Sequence, residues 1–142
     1  MIDTWKFPWG RIEPVPANAL QRRARAYDWR GQAFRWQPSL ASCQRTAFDA
    51  ERLDTPLPEL LKPSGMTACE FFASWTRAEA LAKYFDVPIL AWLRQYALTP
   101  PRLGQVEVFR KDIATPVATY TALWPQKQLI FTSATSIQEI SL

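Results

Sequence analysis

The chain has 142 residues, 48% of them apolar, and a net charge of +4, enough for one domain with a real core and outside the composition of a disordered tail. It contains no histidine, which excludes imidazole bases, His-activated nucleophiles and His metal ligands, and its two cysteines are too few for a four-ligand zinc site. The start, Met1–Trp9, lacks the pattern of a secretory leader, and the longest apolar run, Val87–Leu93, is too short to span a bilayer; both point to a soluble cytoplasmic protein with no membrane partner, its Cys43 and Cys69 buried as free thiols.

In residues 1–16, Pro8, Pro14 and Pro16 alternate with Trp5, Phe7 and Trp9, the pattern of an extended aromatic arm. The spacing then predicts a helix over 17–27, with Leu20, Ala24 and Tyr27 on one face and Arg22 and Arg25 on another, broken by Gly31. Gln32–Gln37 alternates Phe34 and Trp36 against Ala33 and Arg35, a short strand. Residues 38–66 are weakly patterned, with a rigid turn at Thr55–Pro58 and a breaker at Lys62–Gly65.

Two capping boxes follow, Thr67 with Glu70 and Thr76 with Glu79, and predict helices over 68–74 and 77–85. Asp86 as cap and Pro88 at the first helical position predict a third helix over 88–98. That helix is apolar nearly all round (Ile89, Leu90, Ala91, Leu93, Ala97 and Leu98 beside Trp92), which predicts burial. Strand signals fill the rest, at 105–111, 115–124, 128–135 and 137–142, with turns at Asp112–Pro116 and Pro125–Lys127. The expected fold is a single α+β domain over 1–142: short helices, then a three- to five-stranded antiparallel sheet.

Nothing in this pattern points to catalysis. The carboxylate pairs Glu51/Asp54 and Asp112/Glu139 have no distinctive spacing and read as solvated surface, and Gly10, Gly31, Gly65 and Gly104 are too isolated to cradle a phosphate. No catalytic residue, metal site or cofactor is expected. The charge distribution is the informative feature. Residues 1–50 carry eight Lys/Arg against four Asp/Glu, whereas 51–142 carry nine of each. The basic part is interleaved with rings, and Arg22, Arg23, Arg25, Trp29, Arg30, Arg35 and Trp36 form the expected partner-binding segment. The expected function is a non-catalytic adaptor or accessory protein, of a bacterium or its mobile elements by general composition, docking on an acidic protein surface or a nucleoprotein complex, with nucleic acid itself a possible ligand.

Two stretches resemble known families. Ala78–Leu93 is similar to the helix-turn-helix of bacterial DNA-binding regulators. Ala82 corresponds to the close helix approach, Phe85 and Val87 to the core, and Trp92 to the buried side of the recognition helix; Asp86 stands where that family has Gly. The resemblance implies a winged-helix regulator of transcription. Gln105–Trp124 resembles one hairpin of the toxin-activating lysine acyltransferases. Without the His that family uses, the resemblance implies an inactive acyltransferase-like domain.

Overall fold

A computed structural model describes residues 5–7, 10–15, 25–27, 32–38, 45–56, 65–112 and 116–136. They form an α+β fold of two helices and two four-stranded antiparallel sheets. The strands are β1 (Trp5–Phe7), β2 (Gly10–Val15), β3 (Arg25–Tyr27), β4 (Ala33–Pro38) and β5 (Thr46–Arg52); the helices are α1 (Ala68–Tyr84) and α2 (Ile89–Gln95); β6 (Val106–Arg110), β7 (Pro116–Trp124) and β8 (Leu129–Ser136) follow. The N-terminal sheet has the order β1-β2-β4-β3 and the central sheet β5-β8-β7-β6.

The middle of the central sheet is covered on both faces, which is why β8 is buried along nearly its whole length, whereas no residue of β6 is buried. Period-2 alternation decides which side each residue faces. Phe48 and Ala50 of β5, Leu129 and Phe131 of β8, and Ala122 and Trp124 of β7 form one core with Ala26 and Phe34 of the N-terminal sheet. The opposite set, Ala47, Val117 and Ala134, packs on Ala78, Leu81 and Ala82 of α1 and on Trp92 of α2. Ile130 extends that face to Phe71, Phe72 and Ala73 at the start of α1. A hydroxyl chain crosses this second interface: Thr132 Oγ1 lies 3.0 Å from Thr76 Oγ1 and 2.7 Å from Thr121 Oγ1, all three buried. Each hydroxyl in the chain serves its neighbours, as a dry interior demands.

The helices begin and end for local reasons. Thr67 caps α1 with the expected reciprocal box: its Oγ1 accepts from the Glu70 amide at 3.1 Å, and its own amide donates to Glu70 Oε1 at 3.0 Å. The second box does not start a new helix. Thr76 lies in mid-helix, buried, with its hydroxyl engaged by Thr132 and the Ala73 carbonyl. With no Gly or Pro between Ser74 and Arg77, the two expected helices are one. α1 ends in a Schellman arrangement: the Val87 amide donates to the Ala82 carbonyl and the Asp86 amide to the Lys83 carbonyl, with Asp86 left-handed at φ 55°.

Other expectations need correction. Residues 25–27 are a strand and not the end of a helix, because Ala26 is needed as a buried position opposite Phe34; 17–24 lie outside the described residues. The first sixteen residues, read as an arm, contribute β1 and β2, which pair with each other, and β2 pairs in turn with β4. β5 was not anticipated. Pro88, and not Asp86, occupies the N-cap of α2, with no side-chain cap bond. Only Trp92 of α2 is buried; Leu90 is 65% exposed, so the all-round burial expected for this helix does not occur. The strands expected over 105–111, 115–124 and 128–135 are present as β6, β7 and β8, with a 3-10 turn at Pro125–Lys127. Residues 137–142 and Cys43 lie outside the described residues. Cys69 is a free thiol, half-buried rather than buried. Among the described residues, no helix is long and apolar enough to cross a membrane.

Candidate functional site

The register of the N-terminal sheet sorts its residues into two faces. One set of rows reads Trp5–Ile12–Trp36, Phe7–Gly10–Pro38 and Pro14–Phe34–Ala26. Ala26 and Phe34, in the last of these rows, are buried against the central sheet. The other rows read Lys6–Arg11–Gln37, Glu13–Arg35–Arg25 and Val15–Ala33–Tyr27. Among the described residues, this second set of rows holds four basic positions, Lys6, Arg11, Arg25 and Arg35, and one acidic position, Glu13. Two of its cross-strand pairs join residues of like charge, Lys6 with Arg11 and Arg25 with Arg35. Like charges directly opposite each other destabilise a ladder, by fractions of a kcal/mol up to about 1 kcal/mol.

Of the seven residues expected to bind a partner, Arg25 and Arg35 are brought directly opposite each other. Trp36 is one strand position from Arg35 and is paired with Ile12, in a different row from the two arginines. Arg22, Arg23, Trp29 and Arg30 lie outside the described residues. Lys6 and Arg11 were not anticipated; the alternation of Trp5, Phe7 and Ile12 with Lys6, Arg11 and Glu13 was the available signal.

A second group of charges lies between β5 and α1. Asp49, 7% exposed, accepts through Oδ1 from Lys83 Nζ at 3.1 Å, and the same ammonium donates to the Phe48 carbonyl at 3.1 Å. Asp49 Oδ2 has no hydrogen-bond partner among the described residues. Burial pushes the Asp49 carboxyl up, against the pull of Lys83. Burial, and then the neighbouring Asp49 charge, also push Glu51 and Glu79 up to about 7. Three carboxylates thus share one interior lysine. Glu51, expected as solvated surface, is half-buried, whereas Asp54 is exposed as expected and bonds Arg52 at 3.2 Å in the turn after β5. The true signal was Asp49 and Glu51 two apart on a strand, with Glu79 and Lys83 four apart on a helix. Among the described residues, no group of three His, Cys, Asp or Glu is arranged to hold a metal ion.

The α1–α2 corner is held by rings. Phe85 stacks on Trp92 at 5.8 Å, Trp92 meets Tyr96 at 4.3 Å, and Phe109 of β6 lies within 6.1 Å of all three. Lys111 caps Phe85 and Arg77 caps Phe109, at 5.1 and 5.7 Å from the ring centroids. These rings fill one another's space as a small core. From the opposite side Arg45 clamps the turn, donating from Nε to the Tyr84 carbonyl at 2.6 Å and bridging Asp86 at 2.7 Å. Arg94 and Gln95 are the exposed polar residues of α2.

No family model matches this chain, and neither does any curated protein or solved structure.

Proposed function

We propose that this chain is a non-catalytic, cytoplasmic binding protein, an adaptor or accessory subunit, that docks through its basic N-terminal sheet on an acidic protein or nucleoprotein. One observation carries the reading: the register sets Arg25 directly across from Arg35 and Lys6 directly across from Arg11. A ladder that sets like charges side by side is less stable than it need be, and an anionic partner is what such an arrangement serves. Strand geometry suits an anion, because the paired basic positions lie on neighbouring strands about 4.8 Å apart.

The test is the pair Arg25→Gln and Arg35→Gln, combined, with affinity measured for a labelled polyglutamate peptide and a labelled single-stranded oligonucleotide. Each charge lost from a partly desolvated contact removes roughly one to a few kcal/mol of binding, so a loss of at least tenfold is expected for the probe the face recognises. The salt slope of oligonucleotide binding should flatten as well. A folded double variant that keeps wild-type affinity for both probes, at low and moderate salt, defeats the reading.

A winged-helix function is the second reading, favoured by the left-handed Asp86 in the turn and by exposed Arg94 and Gln95 on α2, residue types that read G and A in a major groove. It requires a preferred duplex sequence, lost on Arg94→Ala or Gln95→Ala. The β6–β7 hairpin is the part that an inactive acyltransferase-like domain would share.

A further inference from the structure

β6 bounds one side of the central sheet. Its register with β7 runs without a bulge from Val106↔Tyr120 to Arg110↔Pro116, and among the described residues no second strand flanks it. Along a strand, the main-chain groups of alternate residues point to opposite sides. The Glu107 carbonyl accepts from Thr119 Oγ1 of β7 at 3.3 Å, and Pro116, opposite Arg110, has no amide to offer. Both facts assign the β7-facing groups to Glu107 and Phe109. The amides and carbonyls of Val106, Val108 and Arg110 are then directed at the open edge. The devices that usually blunt an edge are absent from its middle: there is no proline and no bulge, and the central residue, Val108, is apolar and 42% exposed.

We propose that this edge pairs antiparallel with the β6 edge of a second copy, about a two-fold axis at Val108, joining two four-stranded sheets into one of eight. The strand is self-complementary in that register. Val108 meets Val108 of the second copy, Val106 meets Arg110, and Glu107 meets Phe109, so no like charges stand opposite each other. Lys111, one residue past the strand, falls diagonally from Glu107 of the second copy. A strongly acidic strand would meet Glu107 near the centre, and a strongly basic one would meet Arg110 and Lys111; a second β6 avoids both. The outward-facing residues supply about six main-chain hydrogen bonds across the axis. On the function proposed above, the dimer carries two N-terminal sheets, and an extended anion is held at two points.

The experiment combines sedimentation equilibrium with register-specific cross-linking. Wild type is expected to sediment at twice the chain mass at concentrations on the order of 100 µM, and Val108→Lys, which sets two ammonium groups at the axis, at the chain mass, folded, with a melting curve that no longer depends on protein concentration. Under mild oxidation, corrected for any wild-type product through Cys43 or Cys69, Val108→Cys should form an intermolecular disulfide. Its α-carbons would be about 5.5 Å apart, inside the bridging range. Val106→Cys should not, since those positions lie about 14 Å apart across the axis. A monomeric wild type overturns the proposal and leaves the edge to another protein's strand. So does a dimer undiminished by folded Val108→Lys, or equal cross-linking by Val106→Cys. Should Val108→Lys fail to fold, the cysteine pair decides alone.

Discussion

Trp92 and Leu90 are two positions apart on α2, both apolar, and opposite in consequence. Trp92 is 2% exposed and touches the rings of Phe85, Tyr96 and Phe109; Leu90 is 65% exposed. Truncating a buried tryptophan removes its transfer energy and leaves a cavity, so Trp92→Ala should cost about 3–5 kcal/mol. Leu90→Asp adds a charge where water already reaches and should change stability by no more than about 0.5 kcal/mol. Urea denaturation of the two variants checks both. The sequence pattern treats these residues alike, because an apolar helix reads as buried on every side. A helix of seven residues has only one face to give to a neighbour, and Trp92 takes it.

Among the elements, those with strong local chemistry were legible in the sequence. Thr67 with Glu70 announces the start of α1; the alternation over Val106–Arg110 announces β6, and Pro125 the turn before β8. β5 was not legible. Its sequence Thr46–Arg52 sets Asp49 and Glu51 on one face and Phe48 and Ala50 on the other, and the charged face is interior, paired with Lys83. Charges read as solvent-facing until the helix that neutralises them is known. The basic face was half legible: Arg25 and Arg35 stood out as charges, but their meeting depends on β3 pairing with β4, which no local pattern encodes. The α1–α2 turn gives an element-scale test. Asp86 holds a left-handed backbone that glycine adopts freely, and repays it in part through Arg45. Asp86→Gly relieves the backbone while losing a surface ion pair, so its stability should stay within about 0.5 kcal/mol of wild type. Asp86→Ala keeps the β-carbon and loses the pair, and should cost about 1 kcal/mol. Thermal melts of the two variants separate the backbone term from the charge term.

At the scale of the whole molecule, the central sheet stands between the N-terminal sheet, whose paired rows include Lys6, Arg11, Arg25 and Arg35, and the charges of β5 and α1. The β5–α1 interior holds Glu51 and Glu79, each raised from 4.5 to about 7 by burial and by the Asp49 charge. A carboxyl whose folded value is raised binds its proton more tightly in the folded state than in the unfolded one. Its contribution is therefore fully present below about pH 4.5 and is lost as pH rises through about 7. Asp49, also raised, acts in the same direction. Glu70, lowered by the Thr67 backbone bond, acts in the opposite one, and only in acid, where its capping bond is lost on protonation. Stability should thus peak near about pH 5 and decline toward about pH 8. Because Glu51 and Glu79 both respond to Asp49, the decline belongs to the group and spans more than one unit of pH. Chemical denaturation at a series of pH values should show the midpoint falling over this range, and Glu51→Gln combined with Glu79→Gln should flatten it. Affinity for an acidic probe should hold constant across the same range while the fold remains intact, since Glu51, Glu79 and Asp49 belong to β5 and α1 and not to the N-terminal sheet. Parallel loss of binding and stability in the folded protein would instead tie the interior cluster to the docking surface.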